Sequence, residues 1–371
     1  MMSARFLTVV LERAFNMRDG FGREIDYMRI SVIDSCNLNC YYCNPCDNNE
    51  HCHALNILSV KEVLCIVRAA TRLGIKHFRL TGGEPLLHPQ LDEMVLQIKK
   101  IPGVSSVSLT TNAVLLVQHA KWLKEAGIDS INVSLDTIDA SEYERITKKP
   151  LLEEVKHGIN AAIECGIRVK INVVLTPQTD VVALTRYVAK KGTDIRFIEM
   201  MPVGEGHTNG VEPYKKVIGT LSKLYGEPCR INTEKTKEIN SGNDKRKIPD
   251  NGPAEYYIFP ELGIRVGLIQ AIHGKFCDTC NRIRVTADGR LMPCLGSSVT
   301  MDLVPDSCEF TDDLEKDFVI VQALKAAIKA KPGCHNFNDN AVTYTKTTET
   351  KTTELKAAEV NAARNMSRIG G

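Results

Sequence analysis

Nothing in these 371 residues is apolar for long enough to cross a bilayer, and charge of neither sign dominates. The formal net charge is only +2. It gives no global case for nucleic acid, so any anion site must be local. The apolar patch Phe6–Leu11 lacks the length and the small-residue cleavage pattern of a secretory signal. A cytoplasmic protein with no membrane segment is therefore expected. Apolar residues make up 43% and charged residues 25%, ordinary for a soluble globular chain, and the length allows two or three domains.

Cysteine is what the chain has in excess, with thirteen. In a reducing compartment, grouped cysteines point to metal sites more than to disulfides. Cys36-x3-Cys40-x2-Cys43 forms one group. Cys277-x2-Cys280, with Cys294 fourteen residues on, forms another. The other seven are scattered, and Cys65 and Cys165 fall in helical apolar patterns as small core residues. Thiolates suit iron–sulfur clusters, and three of them leave one iron of a four-iron cubane open to another ligand. Zinc is the alternative for both groups. At the second, His273 or Cys308 could complete a zinc site.

Short β-branched runs alternate with helical patterns through the first two hundred residues. Strands are expected at Tyr27–Ile33, His77–Leu80, Val107–Thr111, Ser130–Leu135, Val169–Leu175 and Ile195–Glu199. Helices are expected near 59–73, 89–100, 115–126, 151–165 and 179–191. This alternation predicts a parallel sheet with right-handed crossovers. Six units are too few for an eight-fold barrel and fit an open partial one. The boundaries expected are an N-terminal segment 1–26, a barrel 27–204 and a mixed domain 205–335 packed on the barrel mouth. In that domain, helices near 214–225 and 311–330 flank strands near 255–259, 264–269 and 282–287, and Asp288-Gly289 signals a hairpin turn. A disordered linker, 336–358, and a tail, 359–371, follow. Seven of the eleven residues from Thr343 to Thr353 are threonine, too polar for a core.

Thr81-Gly-Gly-Glu-Pro85 ends the second expected strand. Paired glycines let backbone approach a ligand closely, and parallel α/β sheets bind ligands beyond the carboxyl ends of their strands. Arg79, Lys170 and Arg196 interrupt otherwise apolar strand runs, and Arg282 and Arg284 share one strand face. Burying unpaired cations is costly. Together they favour a phosphate-bearing ligand in a polar lumen. Internal salt bridges to Glu84, Asp136 or Glu199 are the alternative.

The first cysteine loop resembles that of radical S-adenosylmethionine enzymes. The set Asp19–Arg23, Tyr27–Ser31, Arg79–Pro85, Val169–Val173, Arg196–Pro202, Cys277–Arg284 and the terminal Gly-Gly, in this order, resembles the GTP 3′,8-cyclase family. The resemblance covers roughly 17–335 and the last eight residues. It implies an α/β fold: a radical-SAM partial (β/α)6 TIM-type barrel with a smaller C-terminal mixed α+β domain carrying a second iron–sulfur cluster. It implies two [4Fe-4S] clusters, on Cys36, Cys40 and Cys43 and on Cys277, Cys280 and Cys294, and S-adenosyl-L-methionine held by Tyr42, Gly83, Glu84, Ser134 and Met201. It implies GTP contacts from Arg23, Arg79, Thr110, Lys170, Arg282 and Arg284, with Arg196 lining the pocket. It implies cyclisation of GTP through a 5′-deoxyadenosyl radical, as the first step of molybdenum-cofactor biosynthesis. Its further implications are a low-potential flavodoxin or ferredoxin donor, cyclic pyranopterin monophosphate synthase downstream, and a tail whose Gly370 and Gly371 reach the active site. The sequence carries no argument on oligomeric state, and a homodimer is compatible with it. His77, Ala113 and Asn44-Pro45-Cys46 depart from the family pattern. A peptide-modifying radical-SAM enzyme and a non-catalytic iron–sulfur protein are the rival readings.

Overall fold

A computed structural model describes residues 17–43, 56–203, 206, 210–231, 252–297, 299–303, 313–335 and 337. The threonine-rich stretch, Gly370, Gly371, Cys46, Cys52 and Cys308 lie outside them.

Six parallel strands form the centre: β1 (Tyr27–Ser31), β2 (His77–Thr81), β3 (Ser106–Thr111), β4 (Ser130–Ser134), β5 (Val169–Val174) and β6 (Asp194–Ile198), paired in chain order. The crossovers hold α1 (Val60–Arg72), α2 (Leu91–Lys99), α3 (Leu116–Glu125), α4 (Ala140–Thr147), α5 (Leu152–Glu164) and α6 (Val181–Lys190). Each expected helix is present, and α4 is an addition. It is a short helix with Asp139 as its N-cap, the carboxylate accepting from the Glu142 N–H, and it ends at Lys148 in the left-handed region. Ser59 and Glu62 form a reciprocal capping box that starts α1.

Each strand alternates, but in an unusual sense. Leu80, Leu109, Ile131, Val133, Ile171 and Phe197 are buried among the apolar helix faces in one continuous core. The residues between them, such as Arg79, Ser108, Thr110, Asn132, Lys170 and Arg196, line an interior cavity. A parallel sheet is ordinarily apolar on both faces. Here only the outer face is.

The described strands of the C-terminal residues extend the same sheet at both edges. Beyond β6 come β9 (Arg265–Ile269, parallel), β8 (Glu255–Ile258) and β7 (Cys229–Ile231). Beyond β1 come β10 (Arg282–Val285, parallel), β11 (Arg290–Met292) and β12 (Met301–Asp302). The physical reason is the open barrel, whose two edges would otherwise leave backbone groups unpaired. A π turn, Tyr214–Ile218, leads into α7 (Gly219–Tyr225). The long α8 (Asp313–Lys329) packs against α1 and β11, with Arg72 and Asp317 paired at 3.0 Å.

α5 approaches the turn after β3 closely. A Cβ on Gly158 would lie 2.3 Å from the Ala113 carbonyl oxygen. Gly158→Ala should therefore destabilise the protein by about 1–3 kcal/mol through overpacking. On an open helix the same change would stabilise by up to about 1 kcal/mol. A rise in thermal midpoint would show that the turn yields freely.

Candidate functional site

One cavity of about 630 Å³ runs through the barrel, and both cysteine groups line it. The topology puts them at opposite ends. Cys36, Cys40 and Cys43 follow the carboxyl end of β1. Cys277 and Cys280 precede the amino end of β10, which runs parallel to β1. Cys294 follows β11, which is antiparallel to β10 and so ends at the same level. Five strand residues at about 3.3 Å each set the ends roughly 16 Å apart.

The first loop is held by backbone. The Gly83 N–H donates to the Ile33 carbonyl at 2.7 Å and the Glu84 N–H to that of Ser35 at 2.8 Å. A Cβ would sit 2.3 Å from the Ile33 oxygen at Gly82 and 2.1 Å from the Ser35 oxygen at Gly83. Both glycines are thus required by the approach of the cysteine loop itself. The fully buried Glu84 carboxylate accepts from the Thr111 hydroxyl and the Asn112 N–H, both at 2.7 Å, and from the Leu86 N–H at 2.9 Å. Burial pushes its pKa up to about 7 against those hydrogen bonds. The Asn112 amide in turn donates to Asn37 Oδ1 at 2.7 Å and reaches Cys36 Sγ at 3.8 Å. The Tyr42 hydroxyl donates to Asp136 at 2.6 Å, and burial raises that carboxyl to about 6. Tyr42, Gly83, Glu84, Ser134 and Met201 all line the cavity at this end.

Between the two ends the wall is cationic. Arg284, Arg29 and Arg79 stand in one register row across β10, β1 and β2. Lys170, Arg196, Arg282, Arg168 and Lys331 also line the cavity, and Thr110 stands in register with Asn132 on β4, itself beside Lys170. The cavity carboxylates Glu84, Asp129, Asp136 and Glu199 are engaged elsewhere. Asp129 accepts from Lys99 and the Val107 N–H, and Glu199 from the Ile272 and His273 N–H groups and the His273 ring. The salt-bridge alternative through Glu84, Asp136 or Glu199 is therefore not what this geometry builds. Arg196 Nη2 and Arg284 Nε are buried with no hydrogen-bond partner. Arg196 Nε donates to Asn172 at 2.9 Å. Its neighbour in register, Gly267, has no room for a side chain, since a Cβ would lie 2.9 Å from Arg196 Cγ. Arg79 donates to the Tyr27 hydroxyl at 2.5 Å. Burial works to raise that phenol, but the Arg79 and Arg29 charges outweigh it and hold it at about 8.

Arg23 does not line this cavity. Its donors go to Asp19 at 2.5 Å, to the carbonyls of Cys277 and Pro332 at 2.6 Å each and to that of Gly333 at 3.0 Å. His77 does line it, and shares a hydrogen bond with Ser106 at 2.8 Å. Burial lowers its pKa. Arg29, Arg168 and Lys331 line the cavity and were not singled out by the sequence reading. A signal existed for Arg29, whose strand run Tyr27–Ser31 is interrupted by a cation just as those of Arg79 and Lys170 are.

The cysteines fit iron–sulfur clusters. Each triad is free of disulfides and half-buried, and its thiols feel one another electrostatically. Among the described residues no three His, Cys, Asp or Glu gather as ligands of a single ion. A cubane is larger and takes each thiolate on a separate iron. The His273 ring is bonded to Glu199.

A partial barrel with a three-cysteine loop at the carboxyl end of its first strand defines a radical S-adenosylmethionine enzyme. Residues 30–183 match the family model described as Radical SAM superfamily, and residues 193–337 that described as Molybdenum Cofactor Synthesis C. The chain belongs to the GTP 3′,8-cyclase family, whose members use S-adenosylmethionine and two [4Fe-4S] clusters. It is 36% identical over 324 residues to the GTP 3′,8-cyclase of Clostridium perfringens strain SM101, covering 86% of this chain and 95% of that one. It is 36% identical over 323 residues to that of Listeria monocytogenes strain EGD-e, covering 86% and 92%. The fold is also that of SuiB from Streptococcus suis, solved with its precursor peptide SuiA. That match has a TM-score of 0.54 and 15% identity, over 87% of this chain and 69% of that one.

The two kinds of buried arginine should respond oppositely to removal. Arg23→Met strands Asp19 and should cost the cluster-free protein about 3–5 kcal/mol in urea denaturation. Arg284→Met relieves an unpaired buried cation and should stabilise it by on the order of 1–3 kcal/mol. Equal losses at both would mean that Arg284 is internally neutralised.

Proposed function

We propose that the protein cyclises GTP to (8S)-3′,8-cyclo-7,8-dihydroguanosine 5′-triphosphate, releasing 5′-deoxyadenosine and methionine, as the first step of molybdenum-cofactor biosynthesis. One observation carries this reading: a single cavity joins two cysteine triads, and its wall presents cations whose neighbouring carboxylates are already bonded elsewhere. A nucleoside triphosphate would bring its anions to that cationic wall. The cofactors, when bound, supply the 5′-deoxyadenosyl radical that takes the C3′ hydrogen of GTP.

The protein's own residues bind and orient. Cys36, Cys40 and Cys43 would hold one cluster and Cys277, Cys280 and Cys294 the other. Tyr42, Gly83, Ser134 and Met201 surround the S-adenosylmethionine, and Glu84 acts by fixing the Asn112 turn beside Cys36. Arg79, Thr110, Lys170, Arg196, Arg282 and Arg284 neutralise the triphosphate, and Arg29 joins them from its place between Arg284 and Arg79. Arg23 serves the site indirectly, by tying Cys277 to the segment after α8. Among the described residues no helix is long and apolar enough to cross a membrane. The reading extends to a cytoplasmic enzyme fed by a flavodoxin or ferredoxin, passing its product to cyclic pyranopterin monophosphate synthase, and compatible with a homodimer. A peptide-modifying role is disfavoured, because the likeness to SuiB at 15% identity is one of fold alone.

The test is anaerobic reconstitution, followed by S-adenosylmethionine, dithionite and each nucleoside triphosphate in turn. Cyclised product is expected from GTP alone. 5′-Deoxyadenosine released equally with no nucleotide, and no cyclised product, would sink the reading. Alanine at Lys170, Arg282 or Arg284 should weaken GTP binding by about 1.5–3 kcal/mol, roughly ten- to hundredfold. Deleting Gly370 and Gly371 should preserve 5′-deoxyadenosine release and abolish the cyclised nucleotide. Normal product from that truncation would mean the tail is dispensable.

A further inference from the structure

Lys331, just after α8, is buried, at 3% exposure. Its ammonium donates to the Arg282 carbonyl at 2.8 Å and the Pro293 carbonyl at 3.0 Å. Arg282 lies two residues after Cys280, and Pro293 immediately precedes Cys294. The lysine therefore pins together the two strand ends that carry two of the three cysteines of the second triad.

Among the described residues no carboxylate forms a salt bridge with it. The groups that act on it most are Cys280 and Cys294, favourably, and Arg23 and Arg284, unfavourably, with burial the largest influence. A buried ammonium without a counter-ion costs several kcal/mol. The surrounding segment is nevertheless fixed in place. Arg23 bridges the Cys277 carbonyl to those of Pro332 and Gly333, and the His335 ring bonds the Ala271 carbonyl at 2.7 Å. Such an arrangement makes sense if negative charge on the thiolates is permanent.

We infer that Lys331 is the counter-charge of the second iron–sulfur cluster and the positioning residue that sets its reduction potential. The inference rests on the reading that Cys277, Cys280 and Cys294 hold a cluster. Reduction adds an electron to a group that is already anionic, and a nearby buried cation favours the more negative state. Lys331 thus raises the potential of the second cluster relative to the same cluster without it. At the first triad, by contrast, the charged groups that act most on Cys40 are Asp136, Cys43 and Cys36.

The experiment compares wild type, Lys331→Gln and Lys331→Arg, each reconstituted anaerobically. Gln keeps a donor for the two carbonyls and removes the charge, and Arg keeps the charge. The readouts are iron per chain and the midpoint potential of each cluster from a redox titration followed by electron paramagnetic resonance. In Lys331→Gln the second cluster's potential should move negative while the first is unchanged, and Lys331→Arg should lie near wild type. Selective loss of the second cluster's iron in Lys331→Gln, with retention in Lys331→Arg, would also support the role. An unshifted second potential in Lys331→Gln would overturn it. So would loss of both clusters and of the fold in both variants, since the lysine would then be a folding residue. A wild-type protein with only one cluster would instead sink the function proposed above, so the two failures are distinct.

Discussion

Arg284, Arg29 and Arg79 stand side by side on three hydrogen-bonded strands, about 4.8 Å apart, facing the inside of a barrel. Like charges at that spacing repel strongly wherever water is scarce. Much of the molecule can be understood as making that row tolerable. The outer strand faces and the helices form one continuous apolar core that carries the stability. The acidic groups nearby are engaged by backbone N–H groups, Tyr42, Lys99 and His273, and the cations that line the lumen outnumber them. A ligand that binds only the folded state returns stability in proportion to its concentration over its dissociation constant. The cationic lumen is therefore a cost in the empty protein and a source of affinity in the loaded one.

The two-ended channel follows from chain direction. A parallel barrel puts everything that follows a strand at one end and everything that precedes it at the other. The cysteines after β1 and those before β10 are separated by the full height of the sheet, although β1 and β10 are neighbours. No hinge or added layer is needed to hold a ligand between them. The extra strands that cover the β1 edge are the same ones that deliver Cys277, Cys280 and Cys294 to the opposite end, so at that edge protection and site assembly are one solution.

The strands and helices were legible because period-2 and period-3.6 patterns are local, and all six barrel strands fall where the alternation placed them. The cations at Arg79, Lys170 and Arg196 were legible by the same logic, as breaks in an apolar pattern. Lys331 was not, because it lies beyond a helix end where no periodicity distinguishes an inward from an outward lysine. Arg23 was read as a substrate contact, yet its donors go to Asp19 and to carbonyls more than 250 residues away in sequence, which no local pattern encodes. The joining of the C-terminal strands to both edges of one sheet is likewise a long-range fact. α4 escaped because a short helix in a crossover leaves too few turns for its period to stand out.

Ala113 illustrates how far the site depends on neighbours over identity. Its φ of 66° lies in the left-handed region, where alanine costs about 1–2 kcal/mol over the right-handed helix and glycine costs little. The conformation holds regardless, because three features specify it. The Thr111 hydroxyl accepts the Ala113 N–H at 3.0 Å, the methyl group is completely buried, and the carbonyl is boxed in by Gly158. Thr111 is itself fixed by Glu84, and Glu84 also takes the Asn112 N–H. Backbone strain persists only where its surroundings over-determine it. Here those surroundings are the groups that aim Asn112 at Asn37 and Cys36. Alanine at 113 therefore leaves the support of the first cysteine loop in place, because the direction of that turn is set from both sides of it.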